Sequence, residues 1–252
     1  MKVYFIGAGP GDPELMTVKA ARILGEAEVV IYAGSLVNPA VLRYVRGGAE
    51  IMNSAAMTLE EIIARMEEAV AGGKKVARLH TGDPSLYGAL REQLDRLEEK
   101  GIPYEIIPGV SSFLAAAATL RREYTLPEGS QTLILTRMEG RTPVPERERL
   151  GLLAGHGASL CLFLSAHLIE EAVGELAQGY PLDTPAAVVE KASWPEERVV
   201  TGTLADIAAR ARAAGIEKTA LILVGGFLAP SGTRSRLYDG RFTHAFRRGE
   251  TG

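Results

Sequence analysis

The sequence predicts an α/β protein built as two α/β domains, and three observations carry that reading. Short apolar runs rich in β-branched residues (VYFI, VVIY, KVARL, YEII) alternate with stretches of helical period over the first 120 residues. This is the pattern of a mostly parallel sheet covered on both faces by helices. Residues 121–130, RREYTLPEGS, are polar and contain Pro and Gly, which marks a linker. The alternation then restarts with QTLILTR and continues through ASLCLFL, AAVVEKAS, RVVTG and TALILVGG. Domains are therefore expected over 1–120 and 131–252, the second with a mixed sheet.

Taken in order, residues 2–6 form a first strand that runs into the loop GAGPGDP at 7–13. Helical spacing over 15–24 predicts a helix that Gly25 would stop. EVVIY at 28–32 reads as a buried strand, and Pro39 suits the first turn of a helix after the loop AGSLVNP. Residues 50–52 are a short strand. Thr58 and Glu61 have capping-box spacing for a helix to about residue 71, which Gly72-Gly73 ends. Residues 75–79 feed the corner LHTGDPSLYG, and ALREQLDRLEEKG is a helix after it. Residues 103–107 form a strand ending in PGVSS, before a small-residue helix, FLAAAATL. In the second half, helices are expected over 167–178 and 203–214, and the tail from residue 231 is basic and irregular.

Composition excludes several classes. Of the 252 residues, 46% are hydrophobic and 23% charged, ordinary for a folded globular enzyme. With 28 basic and 31 acidic residues, the net charge of −3 gives no general attraction to nucleic acid or an anionic membrane. The single cysteine, Cys161, lies in an apolar run and fits a reducing compartment, so a cytoplasmic protein is expected. VYFI before the first loop is too short for a signal-peptide core. The longest apolar stretch, 220–229, falls short of the roughly 20 residues that span a bilayer.

The chemistry concentrates in loops. GAGPGDP approaches a dinucleotide-binding G-x-G-x-x-G, but its third glycine comes one residue early. Asp12 also occupies the place where a phosphate would sit on a helix N-terminus. The corner Gly82-Asp83-Pro84 repeats the motif and is open to two readings: Asp83 caps a helix that Pro84 begins, or the corner holds a ligand. His80, His156, His167 and His244 show no metal-ligand spacing, and no metal site is expected. Neither a nucleophile elbow nor a P-loop is present. Arg137, Arg141, Arg147 and Arg149 cluster around Pro143 and Pro145, suited either to holding carboxylates or to a solvated, salt-bridged loop with Glu139, Glu146 and Glu148. Arg121 and Arg122 could join them.

GAGPGDPELMT, YAGSLVNP, HTGDPSLYGA, PGVSSFLAAAA, ILTRMEGRTPVPE and LYDGRFTHAFR together resemble the tetrapyrrole (corrin/porphyrin) methyltransferases over essentially the whole chain. YAGSLVNP and LTRMEGRTPVPE resemble in particular the branch acting at C11 of precorrin-4 in cobalamin synthesis. The resemblance implies two α/β domains with S-adenosylmethionine in the cleft between them, in a homodimer. It implies donor contacts at Pro10, Thr81, Gly82, Asp83 and Leu86, at the polar pair Ser111 and Ser112, and at Leu164, Ala192 and Ala220. Gly9 and Gly11 would shape the floor beneath the tetrapyrrole. Relatives acting on uroporphyrinogen carry an Asp at the position of Ala33, so their proton-transfer scheme does not carry over.

The reaction this implies is attack of a ring carbon on the sulfonium methyl, with the enzyme positioning reactants and excluding water. Arg137 and Arg141 are the candidates for holding substrate carboxylates, and Tyr87 and Ser35 the catalytic candidates near the reacting carbon. Alternatives are methylation at another corrin carbon, a nucleotide-dependent oxidoreductase and a non-catalytic tetrapyrrole-binding protein.

Overall fold

The computed structural model describes residues 1–230, 235 and 238–249, so part of the basic tail lies outside the described residues. The chain divides into two compact units, Met1–Ala116 with Lys191–Glu197, and Ala117–Glu190 with Arg198–Gly252.

The first unit holds strands β1 (Val3–Gly7), β2 (Val29–Tyr32), β3 (Glu50–Asn53), β4 (Val76–His80) and β5 (Tyr104–Ile107). Their order is β3-β2-β4-β1-β5, and every pairing is parallel. All five carboxyl ends therefore share one edge, and the chain leaves the neighbours β1 and β4 in opposite directions, the place where open α/β sheets bind ligands. Alternate residues explain why the strands are apolar throughout. Ile6, Val30, Ala77 and Leu79 pack with helix α1 (Val18–Glu26). Val3, Phe5, Val29, Ile31 and Val76 pack with α2 (Leu59–Ala71) and α3 (Arg91–Glu99).

Local signals set most boundaries. Thr58 and Glu61 form both bonds of the capping box on α2. Helix α1 starts later than expected, where the Thr17 hydroxyl accepts the Ala20 N–H at 3.2 Å. It also runs through Gly25 to Glu26; the glycine is there because the Tyr44 carbonyl lies 3.3 Å from where its Cβ would stand. Pro39 opens a 3-10 turn, Pro39–Tyr44, rather than an α-helix. Helix α3 begins only at Arg91, because Tyr87 and Ala89 take left-handed backbone angles (φ 52° and 45°) that no helix accommodates. Asp83 is therefore not a helix cap.

Helix α4 (Ser112–Leu120) leads to the second sheet. Its strands are β6 (Leu133–Arg137), β7 (Ser159–Phe163), β8 (Pro185–Glu190), β9 (Arg198–Thr203) and β10 (Ala220–Val224), in the order β6-β7-β10-β8-β9. β6 and β7 are parallel, and the remaining pairings are antiparallel. Hence β6, β7 and β8 end at the edge where β9 and β10 begin. Leu160, Leu162, Val188 and Ile222 form the core with Ala172 and Leu176 of α6 (Ile169–Leu176) and Ile207 and Ala211 of α7 (Ile207–Ala213). A short helix, α5 (Leu150–Ala154), completes this unit. Cys161 is fully buried on β7, and burial pushes its thiol well above the ordinary range. No helix among the described residues is long and apolar enough to cross a membrane.

A buried polar network underlies the carboxyl edge of the first sheet. Arg78, 6% exposed, donates to Gln93 Oε1 at 3.1 Å and to Ser54 Oγ at 2.7 Å, with no carboxylate partner among the described residues. Gln93 passes the connection to the Ala89 carbonyl (3.0 Å), and Ser54 to the Tyr32 carbonyl (3.1 Å). Two residues further along β4, His80 is also buried, its Nε2 without a partner. Burial and the Arg78 charge push its pKa down from 6.5 to about 4, against the pull of a hydrogen bond with the Gly88 backbone.

His80 makes stability depend on pH in a defined direction. Between pH 6.5 and about 4 the unfolded chain takes up a proton that the folded chain refuses, so stability falls as pH falls through that window. This one group should lower the unfolding free energy by about 2 kcal/mol from pH 7 to pH 5. Urea unfolding of the wild type and His80→Gln at both pH values measures it. An equal pH dependence in the two proteins would refute the assignment.

Candidate functional site

The loops after β1, β2, β4 and β5 leave the same edge of the first sheet. Gly9 and Gly82 pair across it, Gly9 N–H to the Gly82 carbonyl at 3.3 Å and Gly82 N–H to the Gly9 carbonyl at 2.8 Å. Both have positive φ (78° and 60°), where glycine alone is unstrained. Behind them, a Cβ on Gly7 would come within 2.5 Å of Gly109 Cα, and one on Gly109 would overlap the Gly82 carbonyl. Ser111, buried, and Ser112, which opens α4, pack against Gly82.

Asp83 ties this edge together. Its Oδ1 accepts from the Ser85 N–H at 2.8 Å and from the Ser85 hydroxyl at 2.5 Å, and its Oδ2 accepts from the Gly109 N–H at 2.8 Å. Partial burial opposes ionisation, but these three donors outweigh it and hold the carboxyl below its ordinary value. The turn beyond it carries Leu86, half-buried, and Tyr87, 45% exposed. Tyr87 flanks an open depression of about 620 Å³ with Pro84, Gly88, Ala89 and Leu90. Ser35 is exposed in the loop after β2, the strand next to β4.

The glycine loop after β1 is held from outside. The buried Pro10 offers its carbonyl to Trp194 Nε1–H at 2.9 Å, Asn38 Nδ2–H donates to the Gly11 carbonyl at 2.9 Å, and the Asp12 N–H donates to Ser193 Oγ at 3.0 Å. Asp12 itself caps the short 3-10 turn Pro13–Leu15, so its carboxylate serves the chain.

In the second unit, Arg137 ends β6, Leu164 follows β7 and Ala220 begins β10, all at one sheet edge. Leu164 is 60% exposed with φ 54°, and Thr219, just before β10, has φ 54°. Left-handed angles cost a side-chain-bearing residue roughly 1–2 kcal/mol and cluster at functional sites. Lys191, which follows β8, shares the feature at φ 48°. Ala192, next in sequence, belongs with the first unit. The Arg137 guanidinium donates Nη1–H to the carbonyls of Met138 (3.2 Å) and Thr142 (3.0 Å) and Nη2–H to that of Pro143 (2.7 Å). That leaves Nε–H and one Nη2 hydrogen for a ligand. Arg137 thus folds the loop that exposes Arg141. Arg122 donates to the Leu228 carbonyl at 2.9 Å, within the second unit.

The structure therefore gathers Gly9, Pro10, Gly11, Ser35, Thr81, Gly82, Asp83, Leu86, Tyr87, Ser111 and Ser112 at one sheet edge, and Arg137, Leu164 and Ala220 at another. Sequence reasoning passed over Trp194, Ser193, Arg78 and Gln93. The visible signals were the chain's single tryptophan and a charge inside an apolar strand. Among the described residues, no three His, Cys, Asp or Glu side chains converge as a metal site.

Residues 2–208 match the family of Tetrapyrrole (Corrin/Porphyrin) Methylases. The cobalt-precorrin-4 C(11)-methyltransferase of Methanocaldococcus jannaschii is 56% identical, over 98% of this chain and 96% of the relative. The precorrin-4 C(11)-methyltransferase of Pseudomonas aeruginosa is 50% identical, over 99% and 100%. Among solved structures, a cobalt precorrin-4 methyltransferase of cobalamin biosynthesis superposes with a TM-score of 0.89 at 48% identity, covering 91% of this chain and 96% of that one. The uroporphyrin-III C-methyltransferase of Thermus thermophilus, complexed with S-adenosyl homocysteine, gives 0.73 at 29% identity, covering 90% and 99%. The family match, the near-full-length identity and the shared fold agree, and this chain belongs to the tetrapyrrole (corrin/porphyrin) methylases.

Proposed function

We propose that this protein methylates C11 of precorrin-4 or cobalt-precorrin-4 in cobalamin biosynthesis, with S-adenosylmethionine as donor. The observation that carries the reading is identity of 56% along almost the whole chain with a relative named for that activity. The segments resembling the C11 branch fall on the loop after β2 and on the loop that Arg137 organises.

The residues present fit such a donor. Gly82, Ser111 and Ser112 bring backbone groups and hydroxyls together at one sheet edge, and the resemblance adds the apolar Leu164, Ala192 and Ala220. S-adenosylmethionine, when bound, supplies a methyl group on a sulfonium centre already activated for displacement. Asp83 shapes the loop that presents Thr81, Gly82 and Leu86; with three donors on its two oxygens it serves as a strut rather than a base. Pro10 adds to the donor contacts, and Gly9 and Gly11 lie under the macrocycle. Arg141, exposed, and the remaining donors of Arg137 hold acetate or propionate carboxylates, which guanidinium groups bind in bidentate fashion. Tyr87 and Ser35, on loops leaving adjacent strands, face the reacting carbon. Correct placement of two reactants alone can supply about 7–11 kcal/mol of a barrier. The resemblance supports a homodimer, and with the single buried cysteine it supports a cytoplasmic location.

The direct test is transfer of label from methyl-labelled S-adenosylmethionine to precorrin-4 and cobalt-precorrin-4. Label at C11 is expected, label at another ring carbon would reassign the substrate, and tetrapyrrole binding without transfer would leave only a binding protein. Calorimetric titration should show binding of S-adenosylhomocysteine and none of NAD. Asp83→Ala should weaken that binding by about tenfold and lower stability by about 1–3 kcal/mol, since it strands the Gly109 and Ser85 donors. Arg141→Ala should raise the tetrapyrrole KM by about tenfold with donor affinity unchanged, the loss of one charge-assisted contact. A weakened donor instead would overturn that role.

A further inference from the structure

The segment Lys191–Glu197 leaves β8 and returns into β9, yet it packs with the first unit. It is a stiff piece of chain. Trp194 N–H donates to the Lys191 carbonyl at 2.9 Å, Glu197 N–H to the Trp194 carbonyl at 3.1 Å, and Ser193 N–H to Glu197 Oε2 at 2.7 Å. The Lys191 ammonium stands 5.6 Å from the indole centre. Lys191 and Ser193 are both left-handed, at φ 48° and 68°, an unfavourable conformation for side-chain-bearing residues that persists only where the surroundings impose it.

This stiffness is directed at the glycine loop. Trp194 and Ser193 bond the backbone of Pro10 and Asp12, on either side of Gly11, and the indole ring occupies the space a Cβ on Gly11 would need. With Asn38 on the Gly11 carbonyl, each of residues 10, 11 and 12 has a backbone group held by a side chain from outside the loop. The hydrogen bonds go to backbone atoms, so they set the position of the loop. We infer that Trp194 is a positioning residue for the methyl acceptor, fixing the floor on which the tetrapyrrole rests. The inference rests on the proposed placement of Gly9 and Gly11 under the macrocycle.

Trp194 is the single tryptophan, so its one indole N–H resonance reports the bond to Pro10 without ambiguity. The experiment compares the full-length wild type with Trp194→Phe, which keeps a ring and removes the donor, and Trp194→Ala. It measures amide exchange at Asp12, kcat and KM for precorrin-4, and the Kd of S-adenosylhomocysteine. Expected are exchange at Asp12 at least tenfold faster and an acceptor KM about tenfold higher in Trp194→Ala. Smaller changes of both are expected in Trp194→Phe, and in both variants the Kd, which Pro10 links to the same loop, rises clearly less than the acceptor KM. Unchanged exchange in both variants would overturn the inference. Faster exchange with an unchanged KM would overturn the placement of the loop under the acceptor while leaving the bracing intact. A Kd that rises in step with KM would mark Trp194 as a general structural residue and overturn the positioning role.

Discussion

The hydrogen bond from the Gly109 N–H to Asp83 Oδ2 is the contact on which the carboxyl edge of the first sheet depends. It joins the loop after β4 to the loop after β5, and β1 lies between those two strands in the sheet. The three segments can meet only because Gly7 and Gly109 put no side chains between them. A carboxylate suits the place because it accepts from two directions at once, and the other oxygen also fixes Ser85 and starts the turn that carries Leu86 and Tyr87. Burial would favour the neutral acid, so the ionised form is maintained by the donors around it. The corner is thus self-consistent: the donors keep the charge, and the charge keeps the donors in place.

The same turn is fastened from below by groups that are costly to bury. Arg78 has lost its water and gained a glutamine and a serine rather than a carboxylate, and burial pulls its pKa down to about 10, still far above neutrality. It remains charged beneath the edge, which is one reason the neighbouring His80 stays neutral. Through Gln93 and Ser54 this cation reaches Ala89, in the left-handed turn, and Tyr32, from which the Ser35 loop departs. Hydrogen bonds to a charged group are worth more than neutral ones, so a buried arginine bonded to neutral partners is an effective way to hold two loops against one strand.

What could be read in the sequence was what is local in the chain. The capping box at Thr58 and Glu61 and the apolar strands depend on residues a few positions apart. The alternation of strand and helix was enough for the fold class. Strand order was not legible, because pairing β4 beside β1 joins segments some seventy residues apart. The Asp83 corner stayed ambiguous for the same reason: its deciding partner, Gly109, is 26 residues away. Gly25 looked like a helix stop, and only the approach of Tyr44 from another turn explains it. Family resemblance, carried by whole motifs, proposed site positions that neither spacing nor composition could reach. It said nothing of Trp194, whose hydrogen bond to the Pro10 carbonyl joins residues 184 positions apart.

On the proposed reading the transferred group is already activated, so the protein needs geometry more than it needs a nucleophile, and the structure agrees with that. Its ionisable side chains near the two edges are mostly committed to the chain itself: Asp83 to Gly109 and Ser85, Asp12 to the turn it caps, Arg137 to three carbonyls of its loop. Those commitments shape backbone rather than bond-making groups, and backbone shape is what a positioning site must hold to within a fraction of an ångström. The left-handed residues at the ends of β7 and β8 and before β10 fit the same logic, because a strained angle is kept only where a straighter path would misplace the next segment of chain. Under the proposed function, exposed polar groups such as Arg141 and Ser35 are then the adjustable part of the design. They can be matched to one macrocycle while the frame beneath them stays common to a family whose members act on different tetrapyrroles.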